Sequence, residues 1–128
     1  MSISVVKLGS PRKADEGLRL GTVRRPPRGV AKTEWARLNY YDLWFPLLSP
    51  SQDLVAFAQR AADDASWTIF ERKFLREMNK PDAARVLDLL AALSHGSNFS
   101  IGCYCEREDR CHRSVLRKLL EKRGAAFA

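Results

Sequence analysis

Hydrophobic positions along the chain switch between a two-residue and a 3.6-residue period, and the switches mark out its elements. Ser2 to Leu8 alternates around the β-branched Ile3, Val5 and Val6, and Leu18 to Val23 alternates again, so both stretches predict strands. A turn-rich loop at Gly9-Ser10-Pro11 separates them. Pro26, Pro27 and Gly29 then exclude regular structure, which leaves Arg24, Arg25 and Arg28 on a loop directly after a strand. The aromatic stretch from Leu38 to Pro46 predicts a short strand followed by a turn.

Helical spacing begins after Ser49. This serine, with Pro50 at the first helical position and Gln52 to close a capping box, predicts a helix start, and Leu54, Val55, Phe57, Ala58 and Ala61 form its apolar face. Trp67, Phe70, Phe74 and Met78 define a second helix; Pro81 opens a third, with Leu87, Leu90, Ala91 and Leu93 inward and Gly96 as its stop. His95 falls in the last turn of that helix, where a cation suits the dipole, and reads as a cap. Phe99 to Cys105 carries no charge and predicts a strand. A charged loop from Glu106 to Arg110 follows, and Val115, Leu116, Leu119 and Leu120 repeat at helical spacing up to Gly124. Asp109 is the expected N-cap, placing Cys111 and His112 in the first turn.

Early strands, a helical stretch, then a further strand and helix predict an α/β protein. The expected architecture is one compact three-layer domain over residues 1–128, with a mainly parallel sheet and helices on both faces. A composition of 45% hydrophobic and 29% charged residues is that of a globular chain with a sizeable core.

Charge adds a direction to this picture. The net +7 is unevenly placed: residues 1–37 hold nine Lys/Arg against three acids, and residues 99–128 seven against four. Basic ends on one sheet would attract phosphate-bearing partners, which makes weak, charge-driven nucleic-acid binding an alternative function, although no helix-turn-helix, zinc-finger or aromatic RNA-binding signature accompanies it. No apolar run approaches the roughly 20 residues that span a bilayer, so no membrane partner is expected. Three cysteines, two of them one residue apart, do not form a disulfide framework, and a reducing, cytoplasmic setting is expected.

All three cysteines and one of the two histidines fall between Cys103 and His112, and three chemistries compete for them. The leading one is an anion site for a small phosphate or carboxylate. Backbone N–H groups of the helix first turn at Cys111 and His112, the side chain of Arg113, and the Arg24, Arg28 and Gly29 loop would converge on the ligand. Glu106, Glu108 and Asp109 oppose it unless they point away. The second is thiol catalysis by Cys111, whose helix-start position beside His112 and Arg113 lowers a thiol pKa. No base, orienter and oxyanion site can be assigned with it, so whether the protein is an enzyme stays open. A zinc site from Cys103, Cys105, Cys111 and His112 ranks last: the spacing matches no C-x-x-C knuckle, and adjacent Cys111 and His112 sit awkwardly on one tetrahedron. No cofactor is expected.

The chain also resembles a known family, the domain-of-unknown-function-488 family of small, mostly prokaryotic proteins. Arg24 followed by Pro27-Arg28-Gly29-Val30, then Asp42-Leu43-Trp44 with Leu48, Pro50-Ser51 and Leu54, then Trp67-x-x-Phe70, and finally Cys103 to Cys111-His112-Arg113 carry the resemblance. Pro26 stands where the family has an aromatic residue, and Val23 where an acidic one is common. The resemblance implies a compact α/β three-layer fold and no settled activity.

Overall fold

The computed structural model describes residues 1–61 and 63–128. Strands β1 (Ile3–Lys7), β2 (Leu18–Gly21), β3 (Leu43–Trp44) and β4 (Phe99–Cys103) form a four-stranded, all-parallel sheet in the order β1-β4-β2-β3. The last strand in sequence is therefore central. Helices α1 (Gln52–Arg60), α2 (Asp64–Met78) and α3 (Pro81–Leu93) connect β3 to β4, and α4 (His112–Lys122) follows β4.

Alternation decides which face each side chain covers. Ile3, Leu20, Phe99 and Ile101 meet Leu54, Phe70, Phe74, Leu87, Val115 and Leu116 in one core, so all four α-helices contribute to a single apolar cluster with the sheet. The opposite layer is not α-helical. Leu8, Val23 and Tyr41 with the partly buried Trp35 and Tyr40 form a second cluster there, in a segment that contains a 3-10 turn at Lys32–Glu34. Glycine makes this layer fit closely. A Cβ at Gly21 would lie 2.2 Å from Cδ2 of Tyr41, and one at Gly102 would lie 2.4 Å from Cδ2 of Leu8. Tyr41 is wholly buried, and burial pushes its phenol up to about 12, against a smaller opposing contact with Tyr104.

A buried ion pair ties the same layer to the sheet. Arg19, at 0% exposure, donates from Nε and one terminal nitrogen to Glu16 at 2.7 and 2.8 Å and from the other to the carbonyls of Ser10 and Asn39. Ser100 Oγ donates to the same Glu16 carboxylate at 2.8 Å. Burial works against the ionised carboxyl, but the hydrogen bonds from Arg19 and Ser100 outweigh it and hold Glu16 below its ordinary pKa.

Two helix starts differ from the sequence pattern. Ser51, not Ser49, caps α1, its Oγ accepting from Leu54 N at 3.3 Å, because Ser49 closes the preceding 3-10 turn at Pro46–Leu48. Cys111, not Asp109, is the N-cap of α4; Asp109 lies in a 3-10 turn at Glu108–Arg110 and pairs with Arg107. His95 bonds through Nε2 to the carbonyl of Gly124 at 2.8 Å, beyond the end of α4. No helix among the described residues is long and apolar enough to cross a membrane.

Candidate functional site

Parallel strands bring their carboxyl ends to one edge, where loops collect and ligands of open α/β sheets bind. Here the loop after β2 and the loop after β4 face each other across a cleft of about 960 Å³. One wall carries Arg24, Arg25, Pro26, Pro27 and Arg28; the other carries Cys103 to Cys105 and Arg110 to His112. Tyr40, Val55 and Phe70 supply apolar surface between them. A second cavity of about 770 Å³ lies on the far side of Arg24, beside Glu77 and Lys80, and holds none of the cysteines.

Cys103, Cys111 and His112 are buried together, with their ligand-capable atoms within 4.8 Å of one another. Cys105 Sγ is 3.8 Å from Cys103 Sγ, and His112 Nδ1 is 3.7 Å from Cys111 Sγ. The histidine tautomer follows from its second nitrogen. Nε2 lies 2.6 Å from the carbonyl of Thr22, which can only accept, so Nε2 carries hydrogen and a neutral ring turns its Nδ1 lone pair toward Cys111. Phe74 meets the ring edge-on with centroids 5.6 Å apart.

The thiols share protons unequally. Hydrogen bonds from Cys103 and then Cys105 lower the Cys111 pKa, against burial. Cys103 moves up, through its bonds to Cys105 and Cys111 and through burial. Cys105 also moves up, because the Cys111 contact and burial outweigh the lowering by Cys103. The N-cap position adds to the bias at Cys111, since α4 has no acidic residue in its first turn to meet the dipole. As a nucleophile, however, Cys111 is only 2% exposed.

The arginines divide into two groups. Arg113, expected to clamp an anion, is 3% exposed and points inward: it donates to the carbonyls of Val6 and Cys105 at 2.7 Å each and from Nε to Cys111 Sγ at 3.4 Å. It stitches the ends of β1 and β4 to α4. Arg24 donates to the carbonyls of Pro46, Ser49 and Pro50, fastening its loop to the start of α1. Arg25 and Arg28 are exposed on the cleft wall, Arg25 bonded to Gln52 at 3.2 Å. Gly29 takes φ +75°, turning the chain after Arg28, and does not line the cleft.

The acids of the 106–109 loop are engaged elsewhere. Glu106 pairs with Lys7, Glu108 with Arg117 and Asp109 with Arg107, and none lines the cleft. Arg110, which does, pairs with Asp64. Sequence reasoning missed Tyr40 and Tyr104, whose rings meet edge-on with centroids 6.2 Å apart, and Tyr104 donates to the carbonyl of Arg25 at 3.1 Å, closing one end of the cleft. It also missed the carbonyls of Thr22 and Val6, which leave no signal in side-chain identity.

An all-parallel α/β protein with thiols, histidine and arginine gathered at the strand ends is the class that fold and site define. The chain belongs to the DUF488 family: the family model DUF488-N3a, described as the active DUF488-N3 subclade, matches residues 3–124. No curated protein and no solved structure matches it.

Proposed function

We propose that the cleft binds a small organic anion, a molecule with a phosphate or carboxylate group on an apolar or aromatic body. The observation that carries this reading is the charge of the cleft wall. Arg24, Arg25 and Arg28 line it, Arg110 joins them while paired with Asp64, and no carboxylate lines it among the described residues, because the acids of the 106–109 loop pair outside it. The first turn of α4, from His112 onward, adds N–H donors and a favourable dipole at the same end, whereas the Cys111 N–H is taken by the Glu108 carbonyl. A volume of about 960 Å³ exceeds what a free phosphate needs and suits a ligand whose body rests on Tyr40, Tyr104 and Phe70.

Arg28 is the best point of test, since its side chain bonds to no protein acceptor among the described residues, whereas Arg24 and Arg113 hold the fold together. A screen of nucleotides, sugar phosphates and small carboxylates by calorimetry should find a ligand. Arg28→Ala should then weaken it by about 1.5 to 3 kcal/mol, and Arg28→Lys should restore only part, because the planar fork is lost. Arg37, exposed and paired with Glu34 outside the cleft, is the control. Equal affinity in Arg28→Ala and Arg37→Ala would remove the cleft from consideration.

A further inference from the structure

Beneath the arginine wall lies a second group of atoms that anion binding does not use. Two thiols and an imidazole converge at the cleft floor, with the exposed third thiol beside one of them, and two of their separations are those of a tetrahedral metal ion. Bonds of ~2.3 Å to sulfur and ~2.0 Å to nitrogen place sulfur–sulfur edges at about 3.8 Å and sulfur–nitrogen edges at about 3.5 Å. Cys103 and Cys105 stand at 3.8 Å, and Cys111 and His112 Nδ1 at 3.7 Å. The atoms of Cys103, Cys111 and His112 are all within 4.8 Å of one another, so bringing these three onto one ion takes side-chain shifts of about 1 Å.

We propose that Cys103, Cys111 and His112, with Cys105 as the fourth ligand, form a binding site for a zinc-class divalent cation at the floor of the cleft. Two features around the cluster point the same way. The Thr22 carbonyl, 2.6 Å from His112 Nε2, fixes the tautomer that leaves Nδ1 unprotonated, and a backbone carbonyl is the usual outer partner of a metal-bound histidine. Arg113 supplies the charge balance. A zinc ion with three thiolates and a neutral imidazole carries one net negative charge, and the buried guanidinium donates to Cys111 Sγ and to the carbonyl of Cys105. Cysteines acting only as small core residues would need neither an oriented histidine nor a buried cation. Three of the ligands are buried while Cys105 is exposed, so the ion would be anchored from below and closed off by the β4–α4 loop.

The inference does not rest on the anion reading: Arg28→Ala, which tests that reading, should leave metal content unchanged. Full-length protein expressed with zinc and purified without chelator should hold about one zinc per chain by mass spectrometry. After removal by chelator, cobalt(II) should give the intense visible bands of a tetrahedral site and a near-ultraviolet thiolate-to-cobalt band. Cys111→Ser and His112→Gln should lose the tetrahedral spectrum. Should either fail to fold, Cys105→Ser, on an exposed loop position, should fold and lower the thiolate band by about a third, as one of three sulfurs is removed. Zinc at background level, a weak octahedral cobalt spectrum, and three thiols alkylated in untreated protein at rates that chelator does not change would overturn the proposal.

Discussion

Glu16→Gln isolates the buried ion pair that holds the non-helical layer to the sheet. The substitution keeps shape and removes charge. In the native protein both carboxylate oxygens accept from Arg19, at 2.7 and 2.8 Å, and one also accepts from Ser100. A glutamine amide presents one acceptor and one donor group, so at least one Arg19 donor faces another donor, and a guanidinium at 0% exposure loses its adjacent counter-charge. Removing one partner of such a pair costs about 3 to 5 kcal/mol, a large share of the roughly 5 to 15 kcal/mol that stabilises a domain. For a chain of this size that corresponds to a melting temperature lower by roughly 10 to 20 °C. Circular dichroism melts at neutral pH measure it. The double variant Arg19→Met with Glu16→Leu should recover much of the loss, since the pair's desolvation is then absent. Acid separates charge from shape. Glu16 is depressed in the folded state, so its contribution is present above the unfolded value near ~4.3 and disappears as pH falls through the folded one. The gap between native protein and Glu16→Gln should therefore narrow at low pH. A variant melting within about 2 °C of native would refute the assignment of this pair as a main tie of the layer.

Gly21→Ala should cost about 1 to 3 kcal/mol, because the new methyl would meet a Tyr41 ring that has no room to withdraw; chemical denaturation reads the loss. Tyr41 itself should make stability fall between pH 10 and about 12, where the unfolded phenol ionises and the buried one does not, and Tyr41→Phe should flatten that limb of the curve. Duplex DNA of mixed sequence should bind weakly, with affinity falling steeply with salt; a sequence-selective complex that survives high salt would show that the net charge of +7 serves a nucleic-acid site.

Much of this could be read from side-chain order, and what could not has definite causes. The α2, α3 and α4 faces followed from apolar spacing, and the uncharged run at Phe99 to Cys103 became the central strand, buried throughout. The helix starts moved because two candidate caps stood near each other and short 3-10 turns took up Ser49 and Asp109. Arg19 lies between leucines in an alternating strand, which reads as an outward polar residue. Only the glutamate three positions earlier hints that its face is covered. The inward turn of Arg24 and Arg113 was illegible for another reason: their acceptors are backbone carbonyls, and every residue has one.

Spacing along the chain also misjudges the Cys111-His112-Arg113 run. Three consecutive residues in a strand or helix point in different directions, which argues against two of them sharing one ligand. The N-cap removes the objection. Cys111 has extended backbone, φ −130° and ψ 150°, and helical geometry starts at His112, so the chain changes direction between them. That change brings His112 Nδ1 to 3.7 Å from Cys111 Sγ, while Arg113 still reaches the sulfur from the other side at 3.4 Å. The same junction faces β4, whose last residue is Cys103, and lies within reach of the Thr22 carbonyl just after β2. A thiol from the central strand, a carbonyl beyond its neighbour and a reoriented helix start thus converge because the strands are parallel and end together. An antiparallel placement of β4 would send Cys103 to the opposite edge of the sheet and leave Cys111 and His112 without it.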